Sequence, residues 1–219
     1  MNETQRFQLA AVESLAGDSA ARLVAAAAHA LAPGADPPTV VLVEGESDQV
    51  ALEAIAARRG RDLVAEGIAV VPMGGARNIR HFLELLGPGG LNVSLAGLCD
   101  AGEEGDVRRG LERAGLGANL SRAEMEARGF HVCVADLEDE LIRGVGAAGV
   151  EQVVEAQGEL GSFRTFQQQP GWRARHSQEQ LRRFLGTHSG RKIRYARLLV
   201  DALELTSVPR PLDRLLAHI

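Results

Sequence analysis

The feature that most constrains this chain is a repeated switch between short apolar runs and amphipathic stretches, with an acidic residue where a run stops. The first run, Thr39 to Val43, is largely β-branched and unbroken, the pattern of a strand buried on both faces. It leads into Glu44-Gly45-Glu46-Ser47-Asp48. Gly45 offers a permissive backbone for a turn, and Ser47 is a good N-cap for the helical pattern Val50, Leu52, Ala54, Ile55. Glu44 then falls on the strand tip and Asp48 on the first helical turn, so both can point at one ion. The spacing predicts strand 39–44, helix 47–59, strand 67–71, helix 76–86, strand 94–99, helix 104–114, strand 130–135 and helix 137–145. Strict alternation means a parallel sheet with right-handed crossovers. The fold class expected is α/β, a Rossmann-like domain of about four parallel strands flanked by helices.

Helical segments are expected on both sides of that domain. Residues 1–36 read as N-terminal helices and a linker. Phe7, Leu9, Val12, Leu15, Leu23, Val24 and Leu31 form an apolar stripe broken near Gly17-Asp18-Ser19, and a Pro- and Gly-rich stretch follows from Ala32. Residues 37–146 make the α/β domain. Residues 147–219 form a C-terminal helical extension, with helices at 147–157, 178–186, 191–205 and 211–217 and a polar loop around Gln167 to Trp172.

A chain of 219 residues, 45% of them hydrophobic, suffices for one such domain with helical additions. Its net charge of -5 argues against a generally basic surface, but the charge is uneven. From Phe163 to Arg197 there are eight arginines, one lysine and a single acid, Glu179, a local basic field suited to holding a phosphate backbone. Lys192 is the only lysine among 24 basic residues, which suggests a position where a compact ammonium serves and a guanidinium does not. Cys99 and Cys133 lie inside strands without CxxC spacing and read as core residues, as does His131. No apolar run approaches the roughly 18 residues of a membrane helix, and Met1 to Arg6 lacks a signal peptide's pattern. A cytoplasmic protein with no membrane partner is the expectation.

A second acid-tipped strand, Ser94 to Cys99, ends in Asp100, and another, Phe130 to Val134, is followed by Asp136-Leu137-Glu138-Asp139-Glu140. Acids gathered at one edge of a parallel sheet can hold a divalent ion such as Mg2+ (or Mn2+), which takes oxygen ligands and keeps several waters. The candidate ligands are Glu44, Asp48, Asp100 and Glu138; Glu104, Asp136 and Glu140 are weaker. In a helix starting near Leu137, Leu137 and Leu141 share a face that should turn toward the core, leaving Glu138 free to reach the site.

The order Glu44-Gly45-x-Ser47-Asp48, then a strand ending in Asp100, then Leu137-Glu138-x-Glu140, resembles the Toprim domain of topoisomerases, primases and nucleases, and most of all the OLD (overcoming lysogenization defect) nucleases. The strand and glycine turn from Ile68 to Ile79 and the helical Arg191-Lys192-Ile193-Arg194-Tyr195-Ala196 extend the resemblance over roughly residues 38 to 200. It implies a metal-dependent nuclease acting on DNA, or on RNA, with Glu44, Asp100 and Lys192 as catalytic residues. Glu44 would be a metal ligand or a general acid/base, and Lys192 would neutralise developing charge or position the attacking water. Full-length OLD nucleases join this domain to an ATPase. No Walker motif occurs here, so an ATPase would be a separate subunit or the protein works without one, and a homodimer is compatible with the sequence.

One departure matters. Most Toprim domains carry Asp-x-Asp where this chain has Asp100-Ala101-Gly102-Glu103-Glu104, and Gly102 has no side chain to offer a metal. Either Glu103 or Glu104 reaches in, or the second metal site is weakened or lost. A non-catalytic Toprim module that binds nucleic acid or a partner protein is therefore an alternative. A phosphoacceptor domain is a remote one, because it wants its lysine on a late strand and Lys192 lies in a helical pattern. Trp172, Phe163 and Phe166 could stack on bases, though packing explains them as well.

Overall fold

The computed structural model describes residues 21, 22, 24–26, 28, 38–187 and 189–219. The N-terminal stripe and the linker fall mostly outside the described residues; positions 21, 22, 24–26 and 28 are helical, and Ala26 is fully buried.

Four strands form one parallel sheet in the order β2-β1-β3-β4: β1 (Thr39–Val43), β2 (Ile68–Pro72), β3 (Ser94–Cys99) and β4 (Phe130–Val132). Thr39 pairs with Ile68 on one side of β1 and with Ser94 on the other, and Gly97 of β3 pairs with Phe130. Alternate residues of β1 enter two different cores. Val41 and Val43 face one and Val40 and Leu42 the other, which is why β1 is apolar throughout rather than alternating. Gly97 is required at the sheet centre. A Cβ there would stand 2.8 Å from the Leu42 carbonyl oxygen and 2.9 Å from the Phe130 ring.

Helices α1 (Glu46–Arg58), α2 (Ile79–Leu86), α3 (Glu104–Arg113), α4 (Arg122–Ala127) and α5 (Leu137–Val145) connect and follow the strands. The C-terminal part is helical: α6 (Ala147–Ala156), α7 (Leu160–Gln167), α8 (Ser177–Leu185), α9 (Ser189–Ala202) and α10 (Arg210–His218). One core joins β1, α1 and α5 to these helices through Ile55, Leu141, Leu199 and Leu215. The other is built by α2 and α3 through Phe82, Leu83 and Leu111. Arginines of α1 and its C-terminal end fasten the helices together. Arg58 donates to the Val200 and Leu203 carbonyls, which a helix end leaves without partners. Arg61 donates to those of Leu216 and Ile219, and Arg59 pairs with Asp213 at 2.7 Å.

Three local expectations need correction. β4 stops at Val132 rather than 135: Cys133 N–H still reaches the Cys99 carbonyl, but the Val134 N–H is taken by the Glu140 carboxylate at 2.6 Å, which ends the ladder. The cap of α1 is Gly45, not Ser47, and Asp48 reaches back to accept the Gly45 N–H at 2.9 Å. Finally, α7 spans residues left partly as loop. Its composition is a poor helical signal, and the helix is held by Phe163, fully buried against Phe184 with 5.2 Å between ring centroids.

Candidate functional site

A chain that runs from β1 out to β2 and returns to β3 on the other side of β1 opens a crevice at the carboxyl ends of β1 and β3. Glu44 and Asp100 follow those two strands directly. The cavity there, about 380 Å³, is lined by Glu44, Asp48, Asp100, Glu138 and Lys192, so every leading sequence candidate enters one pocket. A larger hollow of about 710 Å³ beside β2, near Glu53, Arg61 and Val70, contains none of the strand-tip residues and is remote from this chemistry.

Each side chain is placed by a local device. The turn after β2 is clamped to the tip of β1, since the N–H groups of Gly74 and Gly75 both donate to the Glu44 carbonyl at 3.0 and 3.1 Å. That turn needs φ of 74° and 115°, which glycine adopts freely and other residues do not. Asp48 is buried in the first turn of α1. Leu137 and Leu141 do point into the core, as expected. Glu138 is itself only 6% exposed rather than free in solvent, and it receives the Lys192 ammonium at 3.1 Å. Lys192 arrives from α9, which packs along α1.

Five carboxylates, Glu46 among them, against the Lys192 ammonium and the Arg22 guanidinium, which pairs with Glu46, give the pocket an excess of negative charge. Burial first, then a hydrogen bond with Glu103 and the charges of Asp100 and Glu103, push Glu44 up to about 8. Burial and the neighbouring acids Glu138 and Glu44 raise Asp48 to about 7, against the Gly45 N–H and Lys192. Asp100 is raised to about 7 by burial and by Asp48, Asp136 and Glu138. Burial works against the Lys192 ammonium, but Glu138, Asp136 and Asp100 outweigh it and hold its pKa above the ordinary lysine value.

The weaker candidates are placed elsewhere. Glu104 turns away and pairs with Arg122 at 2.5 Å and Arg108 at 3.8 Å. Asp136 caps α5 through the Asp139 N–H and pairs with Arg182 at 2.6 Å, in the adjoining groove. Glu140 is engaged with Val134 and Arg143. The residue that meets Glu44 is Glu103, at the end of the short 3-10 turn Ala101–Glu103. Three residues past Asp100, that turn carries Glu103 toward the Glu44 carboxyl, whereas Glu104 begins α3 on another face. The spacing Asp100-x-x-Glu103 was the available signal, but only the turn geometry separates the two glutamates.

The basic field is also altered by the fold. Acids remote in sequence pair with it: Glu151 with Arg164, Asp136 with Arg182, and Glu159 with both Arg191 and Arg194. His131 is buried, yet neither ring nitrogen has a hydrogen-bond partner among the described residues, and burial lowers its pKa below the ordinary histidine value. Both cysteines are buried and free, with their thiol pKa values pushed up by burial, which leaves them inert.

Residues 38–101, spanning β1 to β3 and both strand-tip acids, match the family described as overcoming lysogenization defect protein-like, TOPRIM domain. Over those residues the sequence is that of an OLD-like Toprim domain. The C-terminal region of the Xanthomonas campestris pv. campestris OLD protein superposes with a TM-score of 0.66 at 26% identity, over 83% of this chain and 91% of that one. The C-terminal region of the Burkholderia pseudomallei OLD protein has the same fold, with a TM-score of 0.61 at 22% identity, over 82% and 95% of the two chains. No curated protein matches the sequence. Both structural matches extend well beyond the Toprim stretch, over more than four fifths of this chain. No helix among the described residues is long and apolar enough to cross a membrane.

The acids of this pocket suit a hard divalent cation in donor chemistry: all are oxygen donors, and Glu44, Asp48 and Asp100 are reluctant to ionise without a counter-charge. Glu103 Oε2 is buried with no hydrogen-bond partner among the described residues. Among those residues, however, no three Asp, Glu, His or Cys side chains are drawn together tightly enough to form a ready-made cage. A cation held here would therefore keep part of its water shell, as magnesium commonly does.

Proposed function

We propose that this protein is a metal-dependent nuclease that hydrolyses phosphodiester bonds, nicking or cleaving DNA. The observation that carries the reading is the convergence of Glu44, Asp48, Asp100 and Glu138 with Lys192 in one cavity at the switch point of a Toprim sheet. Glu44, Asp48, Asp100 and Glu138 would hold Mg2+ or Mn2+, with Glu103 beside Glu44 in place of the side chain that Gly102 lacks. Bound there, the ion supplies charge neutralisation on the scissile phosphate and a more acidic water. The chain's own residues do the rest. Where the ion is held by the other acids, Glu44 can instead take a proton from the attacking water or return one to the leaving oxygen. Lys192, kept cationic by Glu138 and its neighbours, offers a fixed positive charge where the phosphate gains negative charge.

The direct test is conversion of supercoiled plasmid to nicked or linear form with magnesium, manganese or calcium, comparing the wild type with Glu44→Ala and Lys192→Ala. Metal-dependent cutting lost in both variants supports the reading, and cutting that survives both refutes the site. A second reading, a Toprim module that binds without turnover, is favoured by Gly102 and by the absence of a ready-made cage among the described residues. Tight metal binding with no cutting under any metal would select it.

A further inference from the structure

A second cavity, about 540 Å³, adjoins the carboxylate pocket and shares Glu138 and Lys192 with it. Its other walls are Asp136, Trp172, Arg175, Glu179, Arg182, Arg183 and Gly186. This groove is not a passive gap between helices. Trp172 is half-buried, with its ring packed on Phe166 at 5.2 Å between centroids. The loop bearing it is pinned by buried Gln180, whose Nε2 donates to the Trp172 carbonyl at 2.7 Å while its Oε1 accepts from Gln167 at 2.7 Å. A large aromatic ring is thus fixed in place beside an open, charged channel.

The cations of the channel differ in availability. Arg182 is committed to Asp136, and Lys192 to Glu138. Arg175 faces Glu179 at a loose 3.5 Å, and both side chains are largely exposed. Arg183 is exposed and forms no ion pair among the described residues. An aromatic platform, one free guanidinium and one loosely held guanidinium make the set that binds unpaired strands, where bases stack on rings and the backbone follows positive charge. In a duplex the base faces are stacked on one another and closed to a side-chain ring. The cavity volume is in the range of sites for single small ligands, enough for about one or two nucleotides and too small for a double helix.

We propose that this groove receives an unpaired nucleic-acid strand, with Trp172 stacked on a base and Arg183 and Arg175 on phosphates, and leads it past Lys192 to the carboxylate pocket. The inference rests on the nuclease reading for what happens at the end of the groove, and it makes single-stranded or frayed ends the preferred substrate. Because Asp136, Glu138 and Glu179 offset most of the positive charge, binding is expected to be modest and salt-sensitive.

Trp172 is the chain's only tryptophan, so its fluorescence reports the groove without ambiguity. The experiment is titration of the intact chain, in chelator so that no cutting occurs, with oligothymidylate, oligouridylate and a blunt duplex. Saturable quenching by one or both single strands but not by the duplex is expected, and the pattern tells DNA from RNA. Arg183→Glu, a substitution on an exposed residue, should weaken that binding about tenfold or more. By fluorescence anisotropy of a labelled strand, Trp172→Phe should bind more weakly than wild type while remaining folded. Absence of quenching, equal quenching by duplex, or unchanged affinity in both variants overturns the proposal. The two readings fail separately: cutting of plasmid or of a labelled single strand with added metal, but without quenching, leaves the nuclease and removes the groove, and quenching with neither substrate cut does the reverse.

Discussion

Replacing Asp48 by Asn should make the metal-free protein more stable, and the gain should grow with pH. Asp48 is 7% exposed, and its carboxyl is raised from 3.8 to about 7 by burial and by Glu138 and Glu44. Below about pH 3 the group is protonated in both the folded and unfolded chain and imposes no penalty. As pH rises from there, the unfolded chain ionises it while the folded chain resists, so folding becomes less favourable until about pH 7 and changes little above. A displacement of about three pKa units corresponds to a ceiling of roughly 4 kcal/mol at pH 8 and about 1.5 kcal/mol at pH 5. Asn keeps the shape and an oxygen for the Gly45 N–H, so most of this penalty should be relieved. The expected gain at pH 8 exceeds that at pH 5 by about 2–3 kcal/mol, and for a chain of this size each kcal/mol is roughly 2–4 °C in Tm. Urea and thermal unfolding followed by circular dichroism in chelator, at both pH values, measure it. Added Mg2+ or Mn2+ should stabilise the wild type and leave the variant unmoved. A variant with the same gain at both pH values, or one less stable than wild type at pH 8, would refute the electrostatic account of the pocket.

Other outcomes follow from the same geometry. Mn2+ affinity measured by calorimetry should rise from about pH 6 to about pH 9 with release of protons, because Glu44 near 8 and Asp48 and Asp100 near 7 must ionise to bind. Pure pH independence would mean that these acids are not ligands. Glu103→Ala should weaken that affinity by about tenfold, whereas Glu104→Ala should leave it unchanged and cost less than about 1 kcal/mol through its exposed arginine pairs; equal effects would refute the assignment of Glu103. Gly97→Ala should destabilise by about 1–3 kcal/mol in urea unfolding, as its Cβ would press on the Leu42 carbonyl and the Phe130 ring. A neutral result would mean that β1 and β4 yield more easily than a packed sheet should.

What the sequence determined by itself was whatever depends on short-range pattern. A continuous apolar run can be satisfied only by burial on both faces, so Thr39 to Val43 had to be a central strand, and alternation with helices left a parallel sheet as the consistent outcome. Parallel strands bring their carboxyl ends to one edge, and Glu44, Asp100 and Glu138 therefore had to gather there. The lone lysine among 24 basic residues also marked itself by composition. The tertiary structure decided what depends on approach between distant segments and on the hand of a single turn. The 3-10 turn after Asp100 selected Glu103 over Glu104, a choice of about one third of a helical turn that no spacing rule makes. The Arg-rich segment looked bare along the chain, but Asp136, Glu151 and Glu159 come from other elements to neutralise it, leaving Arg183 without an ion pair among the described residues. Short α7 formed because Phe163 found Phe184, and that same aromatic cluster holds Phe166 beneath Trp172 at the side of the groove. Periodicity records which face of an element is buried; which residues meet across the fold is settled by packing and charge between elements that the chain order keeps far apart.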